Sequence, residues 1–257
     1  MIKKLISATI MVSLMFGAIL TVAAQDNSED YKMWETVMLT PDNTKLKVLG
    51  EHMRKHNATF HDEGAYKATV YNISTGPNAG SIIWDMGPMK FSDNDSRPGE
   101  GAHDDDWRDN VMPYIKKVHS IEYWKQDDDL SNTSMLDGDS AKYPILFVRY
   151  AEIAKGVSVS SVKAFYKKIS ETVKAMEGVN PWGVYYNEFR QGDLGRHIAT
   201  VGFFKEWAEF DEDNEFKATF LKVHGDDSWD AFLDLADQVL TNSWDEIWVY
   251  NAYLSGR

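Results

Sequence analysis

Trp34-Glu-Thr-Val-Met-Leu-Thr40 and Ile145-Leu-Phe-Val-Arg-Tyr-Ala151 decide how this chain reads. Each is a short run rich in β-branched, aromatic and long apolar residues, the composition of a strand. Each opens the same series of elements. After Thr40, a helix is expected from Pro41-Asp42, with Asp42 or Asn43 as N-cap and Leu46, Leu49 and Met53 at helical spacing. After Ala151, a helix begins near Ser160-Ser161 and presents Val162, Phe165, Ile169 and Val173 on one face. Two strands joined by a glycine-containing turn follow in each half. Residues 65–73 pass through Ser74-Thr-Gly-Pro-Asn-Ala-Gly80 into residues 81–86, and residues 182–190 pass through Gln191-Gly-Asp-Leu-Gly195 into residues 197–204. Asp105-Asp106-Trp107 and Asp227-Ser228-Trp229 then start a second helix in each half. Ile121-Glu-Tyr-Trp-Lys125 and residues 246–253 close each half on a strand.

The order β-α-β-β-α-β therefore occurs twice, and that order is the split βαβ, ferredoxin-like unit. The fold class is α+β: two tandem ferredoxin-like units, residues 25–127 and 143–257, joined by an acidic linker, residues 128–142. Strand alternation puts Val184 and Tyr186 on one face and Tyr185, Asn187 and Phe189 on the other. Large apolar groups on both faces predict a sheet covered on both sides. This element order, with the duplicated acidic-Trp helix start, resembles the dimeric α/β-barrel superfamily. In that group two such units, separate or fused, wrap their sheets into a barrel. The resemblance implies a pseudo-dimeric α/β barrel and a site in the space between sheet and helices. It does not imply one reaction, because the group holds small monooxygenases, haem-degrading enzymes, haem-dependent dismutases and peroxidases, and isomerase-like enzymes.

The N-terminus reads as an export signal. Lys3 and Lys4 precede an apolar run from Leu5 to Val22, and Val22-Ala-Ala24 gives a small-residue cleavage site before Gln25. Residues 1–24 are thus expected to be a signal peptide, with the mature protein periplasmic or extracellular. The chain has no cysteine, which removes disulfides, thiol nucleophiles and thiolate metal sites. A net charge of −13 disfavours nucleic acid and anionic membrane surfaces as partners. Nine tryptophans suit an aromatic-lined cavity. No Gly-x-Ser-x-Gly elbow, phosphate-cradling glycine loop or EF-hand ligand order is present.

Polar residues inside strands are the candidates for chemistry. Arg149, Asn187 and His197 are taken as catalytic, with Tyr71, Trp84, Tyr185, Trp248 and Tyr250 as ligand-stacking walls. Glu35, Lys67, Asp85, Glu188 and Asn251 also fall in strands, and Glu35 or Glu188 is expected to pair with Arg149. His52 and His56 stand four apart on the first helix, so two imidazoles share a face and offer a metal site. His61 follows them, and His224 precedes the last helix. The expected function is binding or cofactor-free transformation, of the oxygenase or isomerase type, of a small apolar or aromatic molecule. The alternatives are an oxidoreductase dependent on haem or a divalent metal, and a non-catalytic protein with a filled core.

Overall fold

Alternation along eight antiparallel strands sets up two interiors in this protein, one inside a closed barrel and one beneath helices on its outside. The computed structural model describes residues 30–189, 194–213 and 215–257. The expected signal peptide, its cleavage site and residues 191–193 of the second hairpin turn lie outside them. The elements are β1 (Met33–Pro41), α1 (Leu46–Phe60), β2 (Ala68–Ile73), β3 (Ile82–Met89), α2 (Ala102–Asp106) and β4 (Ile115–Gln126). They continue as β5 (Ile145–Ile153), α3 (Val159–Ala175), β6 (Trp182–Asn187), β7 (Ile198–Phe204), α4 (Phe216–His224), α5 (Ser228–Val239) and β8 (Leu240–Tyr250). Around the barrel the order is β1-β3-β2-β8-β5-β7-β6-β4, closing on β1. The first four strands lie in the order β4-β1-β3-β2, and the last four in the order β8-β5-β7-β6. Two seams join them, Tyr71 to Tyr250 between β2 and β8, and Trp124 to Asn187 between β4 and β6. Closure pairs every strand edge, which removes the exposed edges of an open sheet.

Period-two alternation sorts the side chains. On β3, Ile82, Trp84 and Met86 join the core beneath α1, while Ile83 faces the core inside the barrel. The α1 face toward the barrel is Leu49, Met53, His56 and Asn57, a helical stripe. In the second half Val162, Phe165 and Tyr166 of α3 pack with Phe220 and Phe232.

The last strand of each half carries the same device. Trp124 Nε1 donates to Glu122 Oε2 at 3.2 Å, and Trp248 Nε1 donates to Glu246 Oε2 at 2.9 Å. Both acids are buried and each has a further partner. Arg196 Nε donates to Glu122 at 2.9 Å, and Asn78 Nδ2 donates to Glu246 at 2.6 Å. Such partners are what a buried carboxylate requires.

Three expectations need correction. The first helix starts at Leu46 rather than at Pro41-Asp42, because Asp42 Oδ1 accepts from the N–H and hydroxyl of Thr44 and spends itself on a turn. The segment before α5 is helical: α4 packs Phe220 against Phe232 at 4.6 Å, and His224 Nε2 ties it to the Lys168 carbonyl at 3.1 Å. The expected ion pairs are also different. Glu35 pairs with Arg97, while Arg149 pairs on the surface with Asp245.

Candidate functional site

Two cavities lie on opposite faces of β1 and β3. One, of about 530 Å³, is the barrel lumen; the other, of about 470 Å³, lies between the first-half strands and the helices outside them. Trp84 and Asp85 are neighbours on β3, and each looks into a different one.

The outer cavity contains three histidines. His56 comes from the buried face of α1, His61 from the residue that ends that helix, and His103 from α2. Gly101 makes the tight entry to α2 with φ 71°, a conformation that favours glycine. Each pair of imidazole centroids is 5.1 Å apart. One ring nitrogen from each residue lies within 4.8 Å of the other two.

The outward-facing nitrogens are all engaged by acceptors. His56 Nδ1 meets Asp106 Oδ2 at 2.9 Å, His61 Nδ1 meets the Tyr66 carbonyl at 2.8 Å, and His103 Nδ1 meets Asp104 Oδ1 at 2.8 Å. A carbonyl or carboxylate only accepts, so each Nδ1 carries the hydrogen and each neutral ring keeps its Nε2 lone pair free. His61 Nε2 and His103 Nε2 then face each other at 3.1 Å, and His56 Nε2 is buried with no protein partner. Burial pushes the His61 imidazole down to about 4 and lowers His56 as well, so both stand neutral at pH 7. Burial opposes ionisation of Asp106 too, but hydrogen bonds from His56 and Asn110 outweigh it and hold the carboxylate charged.

Aromatic rings fix the cluster. Trp107, on the π-helical turn that continues α2, packs 5.0 Å from His56, and Trp84 meets His61 edge-on at 4.9 Å. Trp84 Nε1 is itself held by Asn57 Oδ1 at 2.9 Å. Glu35 also lines this cavity. It accepts from Arg97 at 2.5 and 3.1 Å and from the Tyr123 hydroxyl at 2.7 Å.

The lumen is aromatic with one central acid. Asp85 stands between Thr36 on β1 and Thr69 on β2 in the strand register, and Thr36 Oγ1 donates to it at 2.5 Å. Burial pushes the Asp85 carboxyl up to about 7. Residues of the acidic linker, including Thr133, Leu136 and Ser140, cover the mouth. That segment is therefore part of the cavity wall as well as a connection.

The sequence-derived residues divide among these places. Tyr71, Tyr185 and Trp248 line the lumen, Trp84 lines the outer cavity, and Tyr250 packs behind Tyr71 with centroids 6.1 Å apart. Arg149, Asn187 and His197 line neither cavity. Arg149 is exposed because Val148 and Tyr150 take the inward positions of β5. Asn187 Nδ2 donates to the Arg196 carbonyl, and His197 Nδ1 accepts from the Ile153 N–H, so both serve the backbone at the ends of β6 and β7. His52 stacks on Tyr114 and stays out of the cluster, while His56 enters it. His103 carried no motif, and its place beside His56 depends on how α2 packs on α1.

No protein-family model matches the chain, and no curated protein matches it. Solved structures do. A protein provisionally assigned as a monooxygenase from Lactobacillus acidophilus matches with a TM-score of 0.51 at 10% identity, over 86% of this chain and 94% of its own. An anthrone oxidase-like protein matches at 0.53 and 11% identity, over 87% and 92%. A protein provisionally assigned as a chlorite dismutase matches at 0.53 and 9% identity, over 88% and 99%. These are dimeric α/β-barrel proteins, and the chain shares their α+β fold with its eight-stranded antiparallel sheet. At such identities the likeness concerns fold alone.

Proposed function

We propose that this protein is a mononuclear metal-dependent enzyme whose metal is held by His56, His61 and His103 and whose substrate enters the outer cavity. One observation carries the reading: three imidazoles, each with Nδ1 fixed by an acceptor, place one ring nitrogen apiece within 4.8 Å of the other two. With both rings neutral and hydrogen on Nδ1, the lone pairs of His61 and His103 repel at 3.1 Å. A metal at the usual distance of about 2.0–2.1 Å from each nitrogen converts that repulsion into three bonds. The ligand edges of such a tetrahedral site are about 3.3 Å, so small imidazole rotations suffice. Carboxylate or carbonyl partners on the far nitrogen are the usual outer support of histidine ligands.

Three neutral imidazoles suit zinc, copper, iron or nickel rather than magnesium or calcium. His56, His61 and His103 would hold the metal, which would supply Lewis-acid chemistry to a small molecule in the cavity. Trp84 and Trp107 shape the pocket, and the Arg97–Glu35 pair gives it a polar side. Haem, implied for some members of the superfamily, fits this donor set poorly. A porphyrin fills four positions around its iron and leaves one axial position per face, so three nitrogens within 4.8 Å on one side cannot bind it together.

Two further readings accompany this one. The chain is a tandem of ferredoxin-like units, supported by the matching strand orders and the paired Glu-Trp bonds of β4 and β8. The mature protein works outside the cytoplasm, as the N-terminal sequence suggests.

The test is metal content. Protein stripped and reloaded with zinc or cobalt is expected to retain one ion per chain, with cobalt giving the visible bands of a four-coordinate nitrogen site. H56A, H61A and H103A are expected to lose it. Folded protein that retains no metal after loading, or folded H103A that retains a full equivalent, would overturn the proposal.

A further inference from the structure

Three buried carboxylates of this protein are each held by two side chains, and the half-buried Asp85 of the lumen differs from them. Glu35 is held by Arg97 and Tyr123, Glu122 by Arg196 and Trp124, and Glu246 by Asn78 and Trp248. Asp85 has the Thr36 hydroxyl, and no lysine or arginine among the described residues forms an ion pair with it. It lies in the barrel lumen, among rings. Trp34, Tyr71, Trp124, Tyr150, Tyr185 and Trp248 all line the lumen.

We infer that the barrel lumen binds an organic cation, a protonated or quaternary amine on an apolar or aromatic body, with its charge beside Asp85 and among these rings. The volume, about 530 Å³, is that of a pocket for a small organic ligand. Aromatic faces attract a cation through their quadrupole, and the attraction strengthens where water is excluded. A carboxylate in the same box supplies the counter-charge. The ligand cation would then fill the partner position that Arg97 fills for Glu35 and Arg196 for Glu122. A ligand anion would meet Asp85 with like charge.

The linker from Asp127 to Lys142 carries Asp127, Asp128, Asp129, Asp137 and Asp139 against one lysine. Lys32 and Lys67 also stand at the mouth, but Lys32 lies 3.9 Å from Asp128 and Lys67 donates to the Gly138 carbonyl at 3.4 Å. Of the linker acids Asp137 lines the lumen, where it pairs with Lys142. Both lysines of the lining, Lys32 and Lys67, are thus engaged by the linker and leave Asp85 to a ligand. This site is on the opposite face of the sheet from the histidine cluster and does not depend on a metal.

The experiment compares benzyltrimethylammonium with its uncharged carbon isostere neopentylbenzene, using calorimetry and tryptophan fluorescence on the protein before and after chelation. The cation is expected to bind saturably in both preparations and roughly tenfold or more tighter than the isostere. Asp85→Asn is expected to weaken the cation by roughly tenfold and leave the isostere unchanged. Equal affinity for the two compounds in the unaltered protein would overturn the inference. So would saturable binding of neither, or cation binding unchanged in a folded Asp85→Asn protein. The comparison in the unaltered protein decides the matter if the variant does not fold.

Discussion

His61 Nε2 and His103 Nε2 face each other at 3.1 Å while the Nδ1 of each ring is bound to an acceptor, Tyr66 O for one and Asp104 Oδ1 for the other. Neither nitrogen has a hydrogen to share when both rings are neutral. The proposed metal would resolve that contact. His56, buried by α1, brings a third nitrogen to the same point.

Asp106 supports this junction from behind. Asp106→Asn removes the charged acceptor from His56 Nδ1 but keeps a carbonyl oxygen there. Metal affinity measured by competition with a chromophoric chelator is expected to fall about 10- to 100-fold, with little change in fold. An unchanged affinity would show that His56 does not ligate.

Asp85 sets a pH dependence of stability. Its folded-state carboxyl is raised to about 7 by burial, above its unfolded value near 4, so the folded state holds the proton more tightly. The ionised group opposes folding above pH 7, and that opposition fades as pH falls toward 4. Asp85→Asn is expected to stabilise by about 1–2 kcal/mol above pH 7, the water-accessible lumen softening the full effect, and to be neutral at pH 4. Urea unfolding at the two pH values measures this, and an equal effect at both would contradict it.

Arg196 and Glu122 form a buried pair at 2.8 Å. Arg196→Met leaves Glu122 buried without its cation and is expected to cost about 3–5 kcal/mol. The double variant R196M/E122Q is expected to recover most of that loss in thermal unfolding. A double variant as unstable as the single one would assign the loss to packing instead.

The C-terminal segment locks the helix that carries His56. Asn57 Nδ2 donates to the Leu254 carbonyl at 2.7 Å, and a Cβ on Gly256 would stand 2.6 Å from the Ala58 nitrogen in a backbone with φ 82°. Gly256→Ala is expected to destabilise by about 1–3 kcal/mol and to increase hydrogen exchange in α1. Exchange unchanged there would show that the tail does not brace the helix.

Arg149 provides the contrasting case. Its pair with Asp245 is exposed, so Arg149→Ala is expected to shift stability by less than about 1 kcal/mol and to leave metal retention and cation binding intact. A loss of either would return Arg149 to the functional site.

Strand parity explains which candidates survived. Tyr71, Tyr185 and Trp248 have inward parity and line the lumen, while Arg149 alternates with Val148 and Tyr150 and faces out. That alternation was legible in β5, where two large apolar residues flank the arginine. The i,i+4 spacing of His52 and His56 pointed to the right helix. The Leu49, Met53 and His56 stripe shows which of the two is buried. His103 lies 42 residues from His61, and no local pattern can signal a partner at that separation.

What the sequence determined by itself was the α+β class and the eight strands, because hydrophobic period and turn chemistry are local. It also placed aromatic residues on both faces of the strands. Tertiary structure alone decided that α2 and α1 bring His103 to His56 and His61. It alone gave Glu35 and Glu122 an arginine each and set Asp85 among the rings of the lumen with the Thr36 hydroxyl, because the position of a charge in a closed barrel depends on strands and helices distant in the chain.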